Sequence, residues 1–113
     1  MDLERFRAVL GRTPRLALRV FTEEERHYAA RQADPTRRLA ARFAAKEATM
    51  KALGVGLGAF AFRDVEVVGL PSQAPSLRLS GRAAELAARA GVREWKVSLT
   101  HSDLIAEAVV IAI

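Results

Sequence analysis

One long helix constrains the fold of this chain more than any other feature. Asp34-Pro35 is a helix start signal, an N-cap residue followed by proline at the first helical position, and Gly54 suits the left-handed position that ends a helix. Between them, RFAAKEATMKALG (42–54) is rich in alanine, which lets a helix pack closely against a sheet or another helix. A helix that is apolar on most of its circumference is usually buried. The sequence therefore predicts a long, buried helix over residues 34–53.

Four charged side chains interrupt this apolar helix. At 100° per residue, Lys46 falls within the stripe of large apolar side chains and Arg42 borders it, while Glu47 and Lys51 lie together at the other edge. One interpretation is an i,i+4 pair of Glu47 and Lys51 worth about 0.3 kcal/mol, with the other two charges reaching water from a rim. The other is a cleft that binds an anionic ligand and a metal ion. Carboxylate suits Mg²⁺, which binds phosphates with one or two protein carboxylates, and lysines neutralise phosphate oxygens.

The remaining elements predict an α+β fold. A first helix is expected at 3–10, residues 15–21 fit a helix or a strand, and a capping box, TEEE (22–25), starts a helix that ends near residue 33. The last strand is nearly all apolar and is expected in the centre of the sheet. The predicted strands are 64–70, 76–80, 94–101 and 103–113, with a helix between the second and third that Ser80 caps and Gly91 ends.

Composition limits the class of protein and its partners. The 113 residues suit one domain, and the absence of cysteine excludes disulfides and thiolate metal sites, which suits the cytoplasm. No apolar stretch reaches about 18 residues, so no membrane span or membrane partner is expected. Residues 1–51 hold twelve Lys/Arg and seven Asp/Glu, so the front half carries the whole net charge of +5. This field attracts nucleic acid, phosphorylated ligands or an acidic protein, but the few aromatic residues do not alternate with basic ones as in nucleic-acid-binding modules.

The motifs match a known family. RFAAKEATMKALGVGLG (42–58) resembles the signature segment of holo-acyl-carrier-protein synthases, the small phosphopantetheinyl transferases, whose pattern is roughly RFAxKEAxxKAxGxG. TEEER (22–26), PSLRLSGRA (75–83) and WKVSLTHS (95–102) are similar to three further family segments, and MDLERF resembles part of its opening segment. The resemblance covers nearly all of the chain, in order.

The resemblance implies an activity. Members of this family transfer 4′-phosphopantetheine from coenzyme A to a serine of apo acyl carrier protein and release adenosine 3′,5′-bisphosphate, with Mg²⁺. Catalysis of this kind relies on positioning and charge neutralisation. The alternative is an inactive or weakened homologue that binds acyl carrier protein or nucleic acid without catalysis.

The resemblance also implies roles for individual residues. Glu47 matches the metal-ligand glutamate and Lys51 the lysine near the transferring phosphate, with Lys46 counted among the catalytic residues. Arg42 is expected near coenzyme A phosphates or the metal shell. For His101, the histidine of SLTH, the alternative to a ligand contact is a buried, hydrogen-bonded side chain. The other coenzyme-binding matches are Gly54, beside the ligand, Pro75, near the adenine, and His101 and Ser102, beside the adenosine bisphosphate.

Partners follow from the same resemblance. Arg5 and Arg12 are the expected docking contacts for the acidic carrier protein, although a solvated face is the alternative for each. The small members of the family are usually homotrimers whose sites lie between two subunits. No role for nucleic acid is implied.

The chain departs from the family at its start. Residues 1–113 form a single predicted domain, but the family's first strand, with the aspartate that is the second Mg²⁺ ligand, falls before Asp2. Three explanations remain open: a start further upstream, a metal contact made by Asp2 itself, or weakened activity. With one carboxylate fewer, metal affinity should be lower.

Overall fold

The computed structural model describes residues 1–69 and 73–113, and the segment 70–72, where the first predicted strand ends, lies outside the described residues. Helices come first and are followed by the order β-β-α-β-β, which confirms the α+β prediction. The helices are α1 (Leu3–Arg12), α2 (Leu16–Val20), α3 (Glu23–Ala30), α4 (Pro35–Ala52) and α5 (Gly81–Arg89); the strands are β1 (Val65–Val68), β2 (Ser76–Leu79), β3 (Trp95–His101) and β4 (Ala106–Ala112).

Local capping chemistry sets where the helices begin. Thr22 Oγ1 accepts the Glu25 N–H at 3.2 Å and Glu25 Oε1 accepts the Thr22 N–H at 3.0 Å, so the predicted capping box of α3 is confirmed. α3 ends at Ala30, three residues before its predicted end. The ambiguous segment 15–21 contains the short helix α2.

The start of α5 differs from the prediction. Ser80 makes no side-chain hydrogen bond to the helix within the described residues. The carboxylate of Asp64 accepts the N–H of Arg82 at 3.1 Å instead, because the Ser80 N–H donates to the Asp64 carbonyl at 2.8 Å and so brings the two segments together. A residue distant in sequence therefore supplies this cap.

Two antiparallel strand pairs flank α4. β1 pairs with β2, and β3 pairs with β4 from Trp95 opposite Ala112 to His101 opposite Ala106. The prediction of a central position for the last strand is wrong in the described chain, where β4 has only β3 as a partner strand. One face of β4 packs on α4, and the other exposes Val109 and Ile111, so the strand is apolar without lying in the centre of a sheet.

The core surrounds α4. Ala41 and Ala45 are buried, as the alanine-rich face predicts, and α4 packs against β3, β4, β1, α1 and α3. No helix within the described residues has the length and apolar character that crossing a membrane requires. Two hydrophobic clusters form the core, one of Leu3, Phe6, Val20, Phe21, Ala40, Ala41 and Ala106, the other of Met50, Phe60, Val65 and Ala83.

Candidate functional site

Lys46, which the resemblance places among the catalytic residues, lies in the interior. Its side chain is 0% exposed, and its ammonium donates to Glu25 Oε1 at 2.7 Å, to the Phe62 carbonyl at 3.1 Å and to the Val65 carbonyl. Protein acceptors therefore take all three N–H donors of the ammonium. Burial lowers the pKa of Lys46 from its ordinary value, although the Glu25 carboxylate opposes the shift. These contacts support a structural role for Lys46, and its catalytic role stays a prediction. The alternative that it reaches water from a rim is wrong.

The Glu25 carboxylate completes this buried ion pair. Besides Lys46, Oε1 accepts the Thr22 N–H, and Oε2 accepts the Val67 N–H at 3.1 Å. A buried ion pair is stabilising only when its remaining hydrogen-bonding positions are satisfied, and these contacts satisfy them. The pair joins α3, α4 and β1, and so fixes the helix that carries the next residue, Glu47.

Glu47 and Lys51 line an open cavity of about 350 Å³ between α4 and β4. Glu47 is half-buried and Lys51 is exposed. None of the ion pairs within the described ranges includes either residue, so the structure does not form the predicted i,i+4 pair. A carboxylate and an ammonium on one wall can contact a metal ion and a phosphate. The other lining residues are Met1, Ala44, Ala48, Ala106, Glu107 and Ala108.

Arg42 is buried on another side of α4. Its guanidinium carbon lies 4.0 Å from the centroid of the Tyr28 ring. Its Nε has no hydrogen-bond partner among the residues that the structure describes, and its side chain reaches the walls of two cavities of about 280 and 170 Å³. Burial lowers the pKa of Arg42 from its ordinary value. The prediction that it reaches water from a rim is wrong, because only 4% of the residue is exposed.

Pro75 lies in the same place as Arg42. Both line the cavity of about 170 Å³, together with Tyr28, Arg38 and Leu99. The structure therefore brings together two of the predicted coenzyme-binding residues that lie 33 positions apart in the sequence, with the strand β1 between them.

His101 and Ser102 lie exposed at the end of β3, so the alternative of a buried histidine is wrong. Partial desolvation, followed by the charges of nearby arginines, lowers the pKa of His101 below its ordinary value. Ser102 Oγ accepts the N–H groups of Leu104 at 3.2 Å and Ile105 at 3.1 Å and so orders the turn into β4. Both side chains border a cavity of about 300 Å³. Glu107 lines this cavity and also the cavity of Glu47.

Gly54 ends α4 as predicted. Its φ of +69° is in the left-handed region, its N–H donates to the Lys51 carbonyl at 3.0 Å, and the Val55 N–H donates to the Met50 carbonyl at 3.1 Å. These bonds form a Schellman motif, which requires a positive φ at this position. The helix cap explains the glycine, and its contact with a ligand remains a prediction.

The predicted site residues fall on different sides of α4. Arg42 and Glu47 are five positions apart, which separates them by about 140° around a helix. No described residue lines both the cavities of Arg42 and the cavity of Glu47. Within that arc lie Phe43 and Lys46, which are covered by α1, α3 and β1. One chain therefore places the predicted site residues in two separate groups, on different sides of a packed helix.

Three residues of these cavities were absent from the sequence-based predictions. Arg38 precedes Arg42 by one helical turn, so helical spacing contained the signal for it. Glu107 is the one charge on the apolar strand β4, which is also a visible signal. Tyr28 had none, because its position beneath Arg42 depends on the packing of α3 on α4.

The predicted docking arginines lie on α1. Arg5 and Arg12 are both exposed, and Arg5 borders an apolar cavity of about 240 Å³. Asp2 is used as the N-cap of this helix, since its Oδ1 accepts the Arg5 N–H at 3.0 Å. This cap does not use the second carboxylate oxygen of Asp2, so a metal contact by Asp2 stays a prediction. The apolar lining of the cavity includes Phe6, Val9, Leu10, Leu16, Phe43 and Phe62.

Comparison of the sequence finds one family and many relatives. The family model described as the 4′-phosphopantetheinyl transferase superfamily matches residues 1–112. A holo-[acyl-carrier-protein] synthase of Frankia casuarinae is 47% identical over 112 residues, which cover 99% of this chain and 90% of the relative. One of Streptomyces griseus is 49% identical over 111 residues, which cover 98% and 90%.

Comparison of the structure gives the same result. The holo-[acyl-carrier-protein] synthase of Neisseria meningitidis has a TM-score of 0.89 at 27% identity, covering 100% of this chain and 92% of the other. The Helicobacter pylori enzyme, solved in complex with coenzyme A, has a TM-score of 0.85 at 26% identity, covering 100% and 95%. The similarity therefore extends over the whole described fold.

Proposed function

Because the chain belongs to the 4′-phosphopantetheinyl transferase superfamily, we propose that it is a holo-acyl-carrier-protein synthase that transfers 4′-phosphopantetheine from coenzyme A to a serine of apo acyl carrier protein. The full-length match to this family is the observation that carries the proposal. The serine oxygen forms a bond to the β-phosphorus of coenzyme A and loses its proton. The bond from that phosphorus to the bridging oxygen breaks, and adenosine 3′,5′-bisphosphate leaves with the electron pair.

Glu47 and Lys51 form the proposed catalytic half-site. Their cavity suits a Mg²⁺ ion that is held by Glu47 and by phosphate oxygens of the substrate, since this ion commonly takes only one or two protein carboxylates. No group of three or more His, Asp or Glu side chains within the described ranges could hold a metal by itself, so phosphate oxygens of the substrate and water would complete the coordination. When bound, the ion neutralises charge on the pyrophosphate. Lys51 donates to the phosphate oxygens of the transferring group.

Arg42 and Pro75 form one proposed nucleotide-binding part, and His101 and Ser102 form another, beside the cavity of Glu47. Arg42 and Pro75 line one cavity. The cationic side chain of Arg42 suits the phosphate of a nucleotide, and the apolar ring of Pro75 suits its base. The exposed imidazole of His101 can donate to a phosphate. Gly54, at the end of α4, would let the ligand pass close to the backbone.

We also propose that the active unit is a homotrimer with each site between two subunits. The outward face of β4 exposes Val109 (61%) and Ile111 (54%), and Ile113 (52%) follows the strand. Together these side chains form an apolar surface that is exposed to water. Association would bury it. An interface there would let Glu47 of one subunit face the nucleotide half-site of its neighbour. The cytoplasmic location predicted from the sequence remains a prediction.

The carrier protein is proposed to dock on α1. An acidic partner fits the exposed arginines, and an apolar side chain of that partner fits the cavity beside Arg5. The double variant Arg5→Glu/Arg12→Glu is expected to raise the KM for apo carrier protein about tenfold, with the KM for coenzyme A unchanged. Initial rates at two ionic strengths measure this, and the difference should shrink at high salt.

A matched control keeps the same change of net charge. Arg89→Glu/Arg93→Glu alters two exposed arginines on and after α5, away from α1. Its KM for carrier protein should remain near that of the original chain. Equal effects of the two double variants would mean that net charge, rather than a docking site on α1, attracts the carrier.

One reaction mixture tests the function. The protein is incubated with coenzyme A, Mg²⁺ and apo acyl carrier protein, and the carrier is weighed by mass spectrometry. A gain of one phosphopantetheine group, lost when EDTA is added, is the expected result. A stable complex without mass gain would instead indicate a binding-only homologue.

A further inference from the structure

The Arg42 guanidinium is a buried cation that forms no ion pair within the described residues. The residue is 4% exposed, and its Nε has no partner within residues 1–69 and 73–113. A charged group that is removed from water costs free energy unless it is paired and hydrogen-bonded. The two cavities of about 280 and 170 Å³ at this guanidinium give an anion access to it. The protein therefore maintains an unfavourable arrangement whose natural complement is a bound anion.

Two carboxylates near Arg42 are already engaged, and a third, Glu24, lines the larger cavity but is exposed to water. Glu25 binds Lys46 and two backbone N–H groups. Glu66, in the wall of the larger cavity, accepts the Thr22 hydroxyl at 2.6 Å and Arg78 Nη1 at 3.3 Å. Neither carboxylate forms an ion pair with Arg42 in this arrangement. Two further arginines, Arg31 and Arg38, line the same cavities and add positive charge.

Tyr28 is the side chain that holds this guanidinium. Its ring is 8% exposed, and the guanidinium carbon lies 4.0 Å from the ring centroid. A cation over an aromatic face is attracted by the ring quadrupole, and more so when both are desolvated. Stacking on the ring face leaves the N–H groups that point away from Tyr28 available to a ligand. Tyr28 also lines both cavities.

We propose that Tyr28 is a positioning residue of the coenzyme site: its ring orients the Arg42 guanidinium so that this group binds a phosphate of the substrate nucleotide. The inference rests on the proposed function, since that function supplies coenzyme A as the ligand. It adds a residue of α3 to a site otherwise built from α4 and Pro75. Tyr28 acts through Arg42, and contact between the Tyr28 hydroxyl and the ligand is not required.

The test compares a variant that removes the ring with one that keeps it. Tyr28→Leu is expected to weaken the binding of adenosine 3′,5′-bisphosphate about tenfold, while Tyr28→Phe stays within about twofold. Isothermal titration calorimetry measures both affinities. In kinetic assays the KM for coenzyme A should rise in Tyr28→Leu while kcat stays within about twofold of the original.

A structural control separates positioning from loss of core packing. Phe60→Leu truncates another buried aromatic ring, which is 6% exposed and lies in the second hydrophobic cluster. It should lower the Tm without weakening nucleotide binding. Equal loss of affinity in Phe60→Leu and Tyr28→Leu would overturn the proposal.

A double variant tests whether Tyr28 acts through Arg42. In an Arg42→Gln background, Tyr28→Leu should cause no further loss of affinity. A full additional loss, or weaker binding of plain adenosine, would mean that the ring contacts the base, and would contradict the positioning role. If the original chain binds the bisphosphate with this pattern yet transfers nothing, the proposed function fails and the inference stands.

Discussion

Replacement of Glu47 by glutamine is expected to lower kcat/KM for phosphopantetheine transfer by about 10³-fold, or about 4 kcal/mol of transition-state stabilisation. Glutamine keeps the shape of the side chain but removes the charge that holds a divalent cation. The effect on folding should be small, because Glu47 is half-buried and takes part in none of the ion pairs of the described residues. Activity and stability should therefore separate in this variant.

Initial rates over a Mg²⁺ titration, together with the Tm, measure the effect of Glu47→Gln. The matched control is Glu85→Gln, which removes an exposed carboxylate on α5 that pairs with Arg82 at 3.1 Å. That variant should keep its full activity. Undiminished transfer by Glu47→Gln would show that this carboxylate holds no essential ion.

Replacement of Lys46 by methionine is expected to destabilise the protein by about 3–5 kcal/mol, because it leaves the Glu25 carboxylate buried without its cation. Three hydrogen bonds that join α4 to α3, to Phe62 and to β1 are lost with the ammonium. The Tm should fall by roughly 10–20 °C for a chain of this size. This is the outcome expected of a structural residue.

Thermal and chemical denaturation give the stability of Lys46→Met. The surface variant Arg82→Met serves as its control and should cost less than about 1 kcal/mol, as exposed ion pairs do. The double variant Lys46→Met/Glu25→Gln should be destabilised by less than the sum of its single changes. When both charges are removed, no buried ion is left without its partner. A Lys46→Met protein that keeps its Tm but loses transfer would instead support the catalytic role.

Features that depend on neighbours in sequence could be predicted. The capping box at 22–25, the Asp34-Pro35 start and the Gly54 end of α4 all rest on hydrogen bonds within a few residues, and each is present. The same holds for the α+β order of elements. The long helix and its termini therefore follow directly from local chemistry.

Features that depend on distant partners could not be predicted. Helical spacing placed Lys46 on the apolar stripe, but its acceptors lie 16 to 21 residues away, so its role depended on the packing of α3 and β1. Asp64 replaced Ser80 as the cap of α5 for the same reason. The apolar run of β4 indicated two covered faces, and one of them is exposed in the single subunit.

In the proposed trimer, a subunit interface connects the cavity of Glu47 with the cavities of Arg42, which lie on different sides of α4. A mixture of inactive subunits tests this claim most directly. Glu47→Gln removes the proposed metal ligand and Arg42→Gln removes the nucleotide-binding cation, so each protein alone should be inactive in transfer. Sedimentation first shows that each variant forms trimers. The two variants are then unfolded together, refolded and assayed.

Random mixing places an intact Glu47 opposite an intact Arg42 at about a quarter of the interfaces of a closed ring. We expect the mixture to regain about a quarter of the original activity. A mixture that is no more active than its two components, while trimeric, would show that both residues serve one site within a single subunit and would contradict the divided site.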